Sequence, residues 1–258
     1  MSQEPENDPR FMLSLARGLS VLRAFEGRAA LTVSEAAEAA GLSRSSAGRC
    51  LYTLEQLGYV AGTDGLFRLH AGVLRLAHAY SFSDPLARAA QPVLDQIRDR
   101  LGESSSLAVL DPQDPAQAIY VARAAAARII SIPVQIGTML PCYCTSLGRV
   151  LLAAAADEAA VARALRPEVL VKRAPSTCTD PIALRTEIER VRTQGYALVD
   201  GELDAGLRSI SVPVRRRSGE VVAALNVASP AAHRNTDWLL ETALAEVQAG
   251  AMHLSRTV

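Results

Sequence analysis

The chain has 258 residues, of which 49% are hydrophobic, and its 27 basic and 27 acidic side chains give a formal net charge of +0. This length allows one large domain or two ordinary ones, and this composition supplies enough apolar side chains to bury a core. The balanced charge argues against a strongly basic nucleic-acid-binding protein. No apolar run is long enough to span a membrane, and the polar, acidic start shows no secretory signal, so we expect a cytoplasmic protein without membrane contacts.

Cysteine and histidine spacing gives no sign of a metal site. None of the four cysteines forms a CxxC pair, and the four histidines are scattered along the chain. The sequence also lacks GxGxxG, P-loop and GxSxG motifs. We therefore expect no metal and no bound cofactor, and reduced thiols at Cys50, Cys142, Cys144 and Cys178.

The first predicted elements lie in a region, Pro9 to His78, where arginines outnumber acidic residues. Residues 1 to 8 are acidic and are expected to form a disordered tail. A helix is expected from Ser14 to Phe25, where apolar residues recur at helical spacing. These residues are Leu15, Leu19, Leu22 and Phe25. The local basic surplus, doubled in a dimer, suffices for contacts with DNA phosphates.

Residues 31 to 69 predict a winged helix-turn-helix. A short helix fits Ser34 to Ala40, with Ser34 as its N-cap, and Gly41 supplies the turn. A second helix fits Ser43 to about Leu57, with Ser43 as N-cap, and buries one apolar face. The apolar positions of that face are Ala47, Cys50, Leu51, Leu54 and Leu57.

The opposite face of the second helix is polar and supplies the candidates for DNA contact. These are Ser43, Arg44, Ser45, Ser46, Arg49 and Tyr52. Short hydroxyls and arginines reach phosphates and guanine edges in operator DNA. Two strands follow, Tyr59 to Ala61 and Leu66 to Leu69, around a turn at residues 63 to 65 that would form the wing. A purely structural helical hairpin is the alternative, but it needs neither the exposed arginines nor the wing.

A linker is predicted after the wing. Gly72 to Tyr80 has helical spacing, and one of its faces is either packed on its own domain or paired across a dimer. A break follows at residues 83 to 85. We therefore predict a DNA-binding domain at residues 9 to 70, a linker helix at residues 71 to 84 and a second domain at residues 85 to 258.

The second domain mixes strands and helices in an order that predicts an α+β fold with one mainly antiparallel sheet. The predicted strands are Ser105 to Leu110, Ala118 to Arg123, Arg128 to Ile136, Tyr196 to Asp200, Ile210 to Val214 and Val221 to Ala228. The predicted helices are Leu86 to Leu101, Leu147 to Ala156, Ala159 to Leu165, Ile182 to Arg192 and Trp238 to Leu254. Residues 215 to 217 form an arginine run on a hairpin turn, which favours a solvated turn over a second nucleic-acid contact.

The chain resembles the IclR family of bacterial transcriptional regulators over nearly its whole length. Three segments carry the resemblance: the start with LTVSEAAEAAGLSRSSAGRCLYTLEQLGYV, then SIPVQIGTMLPCYCTSLGRVLLAA, then QGYALVDGELDAGLRSISVPV. Within the family, FMLSLARGL, GRCLYTLEQLGYV and LPCYCTSLGRVLLAA are most similar to the branch that controls protocatechuate and 4-hydroxybenzoate catabolism. The resemblance implies a winged helix-turn-helix, a dimerising linker helix and a GAF/PAS-like effector domain with a curved sheet. It also implies homodimers, which can pair as tetramers on an operator, and a small carboxylate effector.

The sequence also indicates where a carboxylate could bind. Thr145 can cap a helix that begins at Ser146, leaving the N–H groups of Ser146, Leu147 and Gly148 free at the positive end of the helix dipole. Gly148 also permits close approach of a ligand or of another backbone segment.

The matching family positions place the effector against Ser146 and Leu147, with Ile129 and Ile132 as an apolar wall. The sheet side of the pocket adds Asp200, Ser209 and Asn226. Where the family often has an acidic pair and a cysteine, this chain has Val199-Asp200 and Ser209, which favours an effector other than a short oxo-acid.

Two further side chains are candidates for effector contact. Tyr143 could pack on an aromatic ring, and Arg208 could bind a carboxylate, although pairing with Glu202 or Asp204 is equally compatible with the sequence. Plain structural roles remain open for several candidates. Ser146 could serve only its helix, and any isoleucine could be ordinary core.

Three functions are compared. The leading one is a DNA-binding regulator that responds to a small aromatic carboxylate and controls aromatic-acid catabolism genes, with a short oxo-acid effector as its variant. An enzyme using Cys142, Cys144 or Ser146 as a nucleophile would need a base, and no histidine is predictably close. A protein-interaction module with a degenerate DNA domain is opposed by Arg44 and Arg49.

Overall fold

The computed structural model describes residues 8 to 126 and 134 to 257. The chain divides into two compact units, Met1–Tyr80 and Ser81–Val258. The first unit contains three helices, a two-stranded sheet and the start of a fourth helix. No helix in the described ranges is long and apolar enough to cross a membrane.

The helices of the first unit are α1 (Leu13–Arg23), α2 (Val33–Ala40) and α3 (Arg44–Gln56). They enclose a small apolar core together with the loop between α1 and α2 and the start of the sheet. Its most deeply buried members are Val21, Phe25, Leu31, Ala36, Leu51 and Val60. This order and packing confirm the predicted helix-turn-helix.

Helix α2 begins one residue earlier than predicted, because its N-cap is Thr32 and not Ser34. The Thr32 hydroxyl accepts the N–H of Glu35, and the Glu35 carboxylate accepts the N–H of Thr32 at 2.7 Å. This reciprocal capping box satisfies two N–H groups that the helix cannot use itself. The turn and the next cap are as predicted: Gly41 has a φ of 65°, and Ser43 accepts the N–H of Ser46.

The buried face of α3 is narrower than predicted. Ala47, Leu51 and Leu54 are buried, but Leu57 is 64% exposed. The helix ends at Gln56, so Leu57 is a C-cap residue that no longer follows the helical face. Gly58 then leaves the helix with a φ of 74°.

The wing consists of β1 (Val60–Thr63) and β2 (Leu66–Leu69), which pair antiparallel. The pair Thr63↔Leu66 closes a two-residue turn in which Asp64 and Gly65 both have positive φ. Two consecutive positive φ values identify the type I′ turn, which matches the right-handed twist of paired strands. The Glu55 carboxylate of α3 accepts the N–H of Gly62 at 2.8 Å and thereby ties the wing to α3.

A short 3-10 turn (Ala71–Val73) leads into α4 (Leu74–Ser83), which has no buried residue. The second unit continues with α5 (Pro85–Leu101), capped by Asp84. Its other helices are α6 (Ser146–Ala154), α7 (Glu158–Ala164), α8 (Pro181–Gln194), α9 (Thr236–Trp238) and α10 (Leu244–Ser255). A π-helical segment, Leu239–Ala243, joins α9 to α10.

The second unit is built on one six-stranded sheet with the order β5-β4-β3-β8-β7-β6, in which every neighbouring pair is antiparallel. Its strands are β3 (Ser104–Leu110), β4 (Gln117–Ala124), β5 (Met139–Pro141), β6 (Ala197–Asp200), β7 (Leu207–Arg215) and β8 (Val221–Pro230). Helices α5 and α10 share one apolar cluster with the sheet, and α6 and α8 share another. This arrangement confirms the predicted α+β class.

The strands of the second unit differ from the prediction at the described end of Arg128 to Ile136 and at β5. The predicted strand Arg128 to Ile136 lies mostly outside the described residues, and its described end contains no strand. The sequence reading missed β5, because three residues are too few to establish an alternating pattern.

Candidate functional site: a DNA-reading helix and an effector cavity

The first turns of α3 present a polar surface to solvent. Ser43, Arg44, Ser45 and Arg49 are exposed, and Tyr52 is 63% exposed. Neither Arg44 nor Arg49 forms an ion pair with any residue in the described ranges, so both guanidinium groups are available to an outside partner. Ser43 differs, because its oxygen is occupied by the N–H of Ser46, and the half-buried Ser46 hydroxyl accepts from Ser43 at 3.1 Å.

The second unit contains a cavity of about 790 Å³ between the sheet and the start of α6. Single-ring and larger small molecules fit cavities of this size. Five of the predicted effector residues line it: Thr145, Ser146, Leu147, Ser209 and Asn226. The predicted wall residues Ile129 and Ile132 lie outside the described residues.

The start of α6 is positioned by Thr145. Its hydroxyl donates to the Pro141 carbonyl at 2.7 Å and accepts the N–H of Gly148 at 3.2 Å. The expectation that the Gly148 N–H is free was therefore wrong, because the cap residue itself takes that donor. In the described ranges, the N–H groups of Ser146 and Leu147 have no partner, and they remain as donors at the cavity.

Gly148 is required by another backbone segment and not by a ligand. A Cβ at this position would lie 2.1 Å from the Cα and 2.5 Å from the carbonyl oxygen of Cys142. These are rigid backbone atoms, so only glycine lets α6 pack this closely. The close packing places the start of α6 beside the cavity.

The sheet side of the cavity carries polar groups in an otherwise apolar wall. The Ser146 hydroxyl donates to the Ser209 hydroxyl at 2.8 Å, which joins α6 to β7. Asn226 on β8 is 4% exposed, and its amide oxygen accepts no hydrogen bond from any described residue. A buried amide oxygen without a donor is costly, so this atom favours a ligand that can donate to it.

Three predicted contacts are absent from the cavity wall. Tyr143 is buried elsewhere, because its hydroxyl donates to the Val171 carbonyl at 2.5 Å. Arg208 pairs with Asp200 at 2.5 Å, and so neither side chain lines the cavity. The pairing follows from strand register, since Asp200 and Arg208 lie directly opposite on β6 and β7. Glu202 and Asp204, the partners considered from sequence, are not the ones used.

Arg123 and Tyr120 are among the cavity residues that were not predicted from the sequence. Arg123 on β4 lines the cavity, and its Nη1 donates to the Ser106 hydroxyl at 3.1 Å. Burial lowers the pKa of Arg123, with a smaller opposing effect from Tyr120. Tyr120 also lines the cavity, and burial raises its pKa to about 12. An arginine in an otherwise apolar predicted strand was the available signal for this site.

The cavity thiol is unsuited to nucleophilic chemistry. Cys144 lines the cavity, and burial raises its pKa to about 11. Burial likewise raises the pKa of Cys142 well above its ordinary value. A thiol rather than a thiolate is present at neutral pH, and the thiol is the weaker nucleophile. Within the described ranges, no cluster of three or more His, Cys, Asp or Glu residues is arranged to hold a metal ion.

The chain matches two family models. The model of the IclR helix-turn-helix domain matches residues 14 to 64, and the model of the bacterial transcriptional regulator IclR C-terminal matches residues 78 to 256. The first match covers all three helices that form the DNA-reading unit. The second contains the whole sheet and the cavity.

Individual relatives agree with these models. The chain is 45% identical to the Pca regulon regulatory protein of Pseudomonas putida, over 86% of this chain and 76% of that protein. It is 31% identical to the p-hydroxybenzoate hydroxylase transcriptional activator of Acinetobacter baylyi, over 94% and 90% of the two chains.

A solved structure gives the same result. An IclR homolog from Microbacterium hydrocarbonoxydans, crystallised with 4-hydroxybenzoate, superposes with a TM-score of 0.77 at 28% identity, over 95% of this chain and 98% of that one. The chain therefore belongs to the IclR family of bacterial transcriptional regulators.

Proposed function

We propose that this regulator binds a small aromatic carboxylate in the cavity of its second unit and thereby controls transcription of aromatic-acid catabolism genes. The observation that carries the proposal is the composition of the cavity. Arg123, which has no ion-pair partner among the described residues, and the amide oxygen of Asn226, which accepts no hydrogen bond from them, face a largely apolar space. A single-ring hydroxy acid supplies the anion, the donor and the apolar ring that such a site needs. A regulator that reads DNA works in the cytoplasm.

Relatives support this effector class. Two of the similar regulators are named for the Pca regulon and for p-hydroxybenzoate hydroxylase, and a similar structure contains 4-hydroxybenzoate. Ser209 adds to the argument, because its hydroxyl already bonds Ser146 and offers a polar wall suited to ring hydroxyls.

Isothermal titration of the full chain tests the effector class. We expect 4-hydroxybenzoate and protocatechuate to bind, benzoate to bind at least about 10-fold more weakly, and glyoxylate not to bind. The reason is that a site built to bond a hydroxyl discriminates against analogues that lack it. Binding of glyoxylate without binding of any aromatic acid would reject the aromatic effector and leave the family assignment intact.

We also propose that the chain acts as a homodimer through α1 and α4. Both helices expose apolar side chains that their own unit does not cover: Leu15, Leu19, Leu74 and Leu76 are each between 45% and 65% exposed. Isolated apolar residues are common on surfaces, but Leu15 and Leu19 are one turn apart on α1, and α4 exposes further apolar side chains without burying any residue, which is typical of an interface. One reading head also covers too few base pairs for useful specificity, whereas paired heads read palindromic sites.

Light scattering checks the dimer. The wild type should have twice the mass of one chain, and Leu74→Asp combined with Leu76→Asp should shift it toward the monomer. Ile182→Asp is the matched control, because Ile182 is an apolar residue, 78% exposed, on α8, which is not one of the two proposed interface helices. A monomeric wild type, or equal loss of dimer in the control, would refute the proposal.

A further inference from the structure

Two polar residues of the cavity, Arg123 and Asn226, belong to one row of side chains across the sheet. In the strand register, Arg123 of β4 lies opposite Ser106 of β3, Ser106 lies opposite Asn226 of β8, and Asn226 lies opposite Ser211 of β7. Residues directly opposite each other in neighbouring strands point to the same face. Of this row, Arg123 and Asn226 line the cavity, whereas Ser106 and Ser211 do not.

The guanidinium of Arg123 favours an anion as its partner. Arg123 is half-buried, and among the described residues its guanidinium, with five N–H donors, makes one hydrogen bond, to the Ser106 hydroxyl. It forms no ion pair with any carboxylate in the described ranges. The cavity carboxylate of Glu103 is bonded to Arg234 instead, at 3.4 Å. A partly buried, unpaired guanidinium is stabilised by a carboxylate, which it can bind through two parallel hydrogen bonds.

The amide oxygen of Asn226 favours a hydrogen-bond donor as its partner. The amide oxygen is buried and accepts nothing from the described residues. Ser211 donates to the Leu225 carbonyl at 2.9 Å, and Ser146 donates to Ser209. Ser106, directly opposite Asn226, accepts from Arg123 and makes no hydrogen bond to the Asn226 amide oxygen. A phenolic hydroxyl is the group of an aromatic acid that can donate to this oxygen.

We infer that the effector lies along this row, with its carboxylate on Arg123 and its ring hydroxyl donating to Asn226. Arg123 and Asn226 lie two strands apart, which places their backbones roughly 10 Å from each other. The Arg123 guanidinium reaches to Ser106 between them, so a benzene ring with a carboxylate and a hydroxyl at opposite ends would lie over the row, with one group at each side chain. This inference rests on the proposed function. It places the carboxylate on Arg123 and not on the N–H groups at the start of α6, where the sequence analysis had placed it. Those N–H groups then face the ring or a second hydroxyl.

Two ligand pairs, titrated against the full chain, separate the two contacts. The first pair, 4-hydroxybenzoate and 4-hydroxybenzamide, differs only in the carboxylate. The second, 4-hydroxybenzoate and benzoate, differs only in the hydroxyl. We expect wild type to prefer 4-hydroxybenzoate by at least about 10-fold within each pair. Arg123→Met should abolish only the first preference, and Asn226→Leu should abolish only the second.

Each ratio compares the affinities of two ligands for the same variant, so it does not depend on how stably that variant folds. A variant that folds incompletely loses affinity for both members of a pair by the same factor, so the ratio is unchanged. Arg123→Lys keeps the charge and should retain part of the acid preference, and Asn226→Ala provides a second variant at the hydroxyl end. Arg185→Met is the control, because Arg185 is an exposed arginine on α8 that does not line the cavity and should leave both ratios as in wild type.

The inference is overturned if Arg123→Met keeps the acid preference or if Asn226→Leu keeps the hydroxyl preference. It is also overturned if Arg123→Met abolishes only the hydroxyl preference and Asn226→Leu only the acid preference. The effector would then lie in the reverse direction, because the Asn226 side chain can present its NH₂ group to a carboxylate. If wild type binds none of the three compounds, the proposed aromatic effector itself is rejected. The two failures are therefore distinguishable.

Discussion

Replacing Arg149 with Met should lower the free energy of unfolding of the second unit by about 3–5 kcal/mol. The guanidinium of this arginine lies 2.7 Å from the Glu202 carboxylate, with the two side chains only 5% and 12% exposed. The Arg149 Nε also donates to the Tyr143 carbonyl at 2.9 Å, and Glu202 accepts the N–H of Cys178 at 3.0 Å. Removing one charge leaves the other buried without its partner, which is the costly case.

Urea denaturation of the full chain measures this loss. The double variant Arg149→Met with Glu202→Leu should recover most of it, because neither charge is then left alone. Arg190→Met is the surface control, since the Arg190 side chain is 56% exposed in its pair with Glu187 on α8 and the pair should contribute less than about 1 kcal/mol. Equal losses for Arg149→Met and Arg190→Met would show that the buried pair has no special role.

Operator binding should weaken by about 1–3 kcal/mol in Arg44→Ala and again in Arg49→Ala, which is roughly 5- to 150-fold for each. Both guanidinium groups extend from the solvent-exposed face of α3 without an ion-pair partner among the described residues. A contact to a base edge should relax sequence preference at one position, whereas a phosphate contact should weaken binding to all sequences and reduce the dependence on salt.

Fluorescence anisotropy on operator DNA at several salt concentrations distinguishes these two outcomes. Arg185→Ala is a suitable control, because Arg185 is an exposed arginine on α8 that pairs with Glu158 at 3.2 Å. Unchanged operator affinity in both Arg44→Ala and Arg49→Ala would reject α3 as the DNA-reading helix.

The helix-turn-helix could be predicted from sequence because its signals are local. The Gly41 turn, the Ser43 cap and the Asp64-Gly65 turn each depend on the backbone preference of one or two residues. The N-cap of α2 shows the limit of this approach. Thr32 and Ser34 are both good caps, and the position of Glu35 three residues after Thr32 decides between them.

The cavity was harder to predict because strand register brings its residues together. Thr145 was identified as a cap from local sequence, and it lines the cavity. Arg123 was missed, because its place beside Ser106 and two strands from Asn226 depends on pairing between distant segments. The same non-local register places Arg208 opposite Asp200 and removes both from the cavity.

A mobility-shift assay is the most direct test of whether this one protein both binds operator DNA and responds to an aromatic acid. The full chain is titrated onto the DNA upstream of its own gene, with and without 4-hydroxybenzoate or protocatechuate, and with benzoate and glyoxylate as comparison ligands. We predict that the chain binds this DNA specifically. Its affinity or its footprint should change with the hydroxylated acids and not with glyoxylate, because ligand and operator binding are reciprocally coupled. Specific DNA binding that no aromatic acid alters, at concentrations that saturate the cavity, would contradict this prediction.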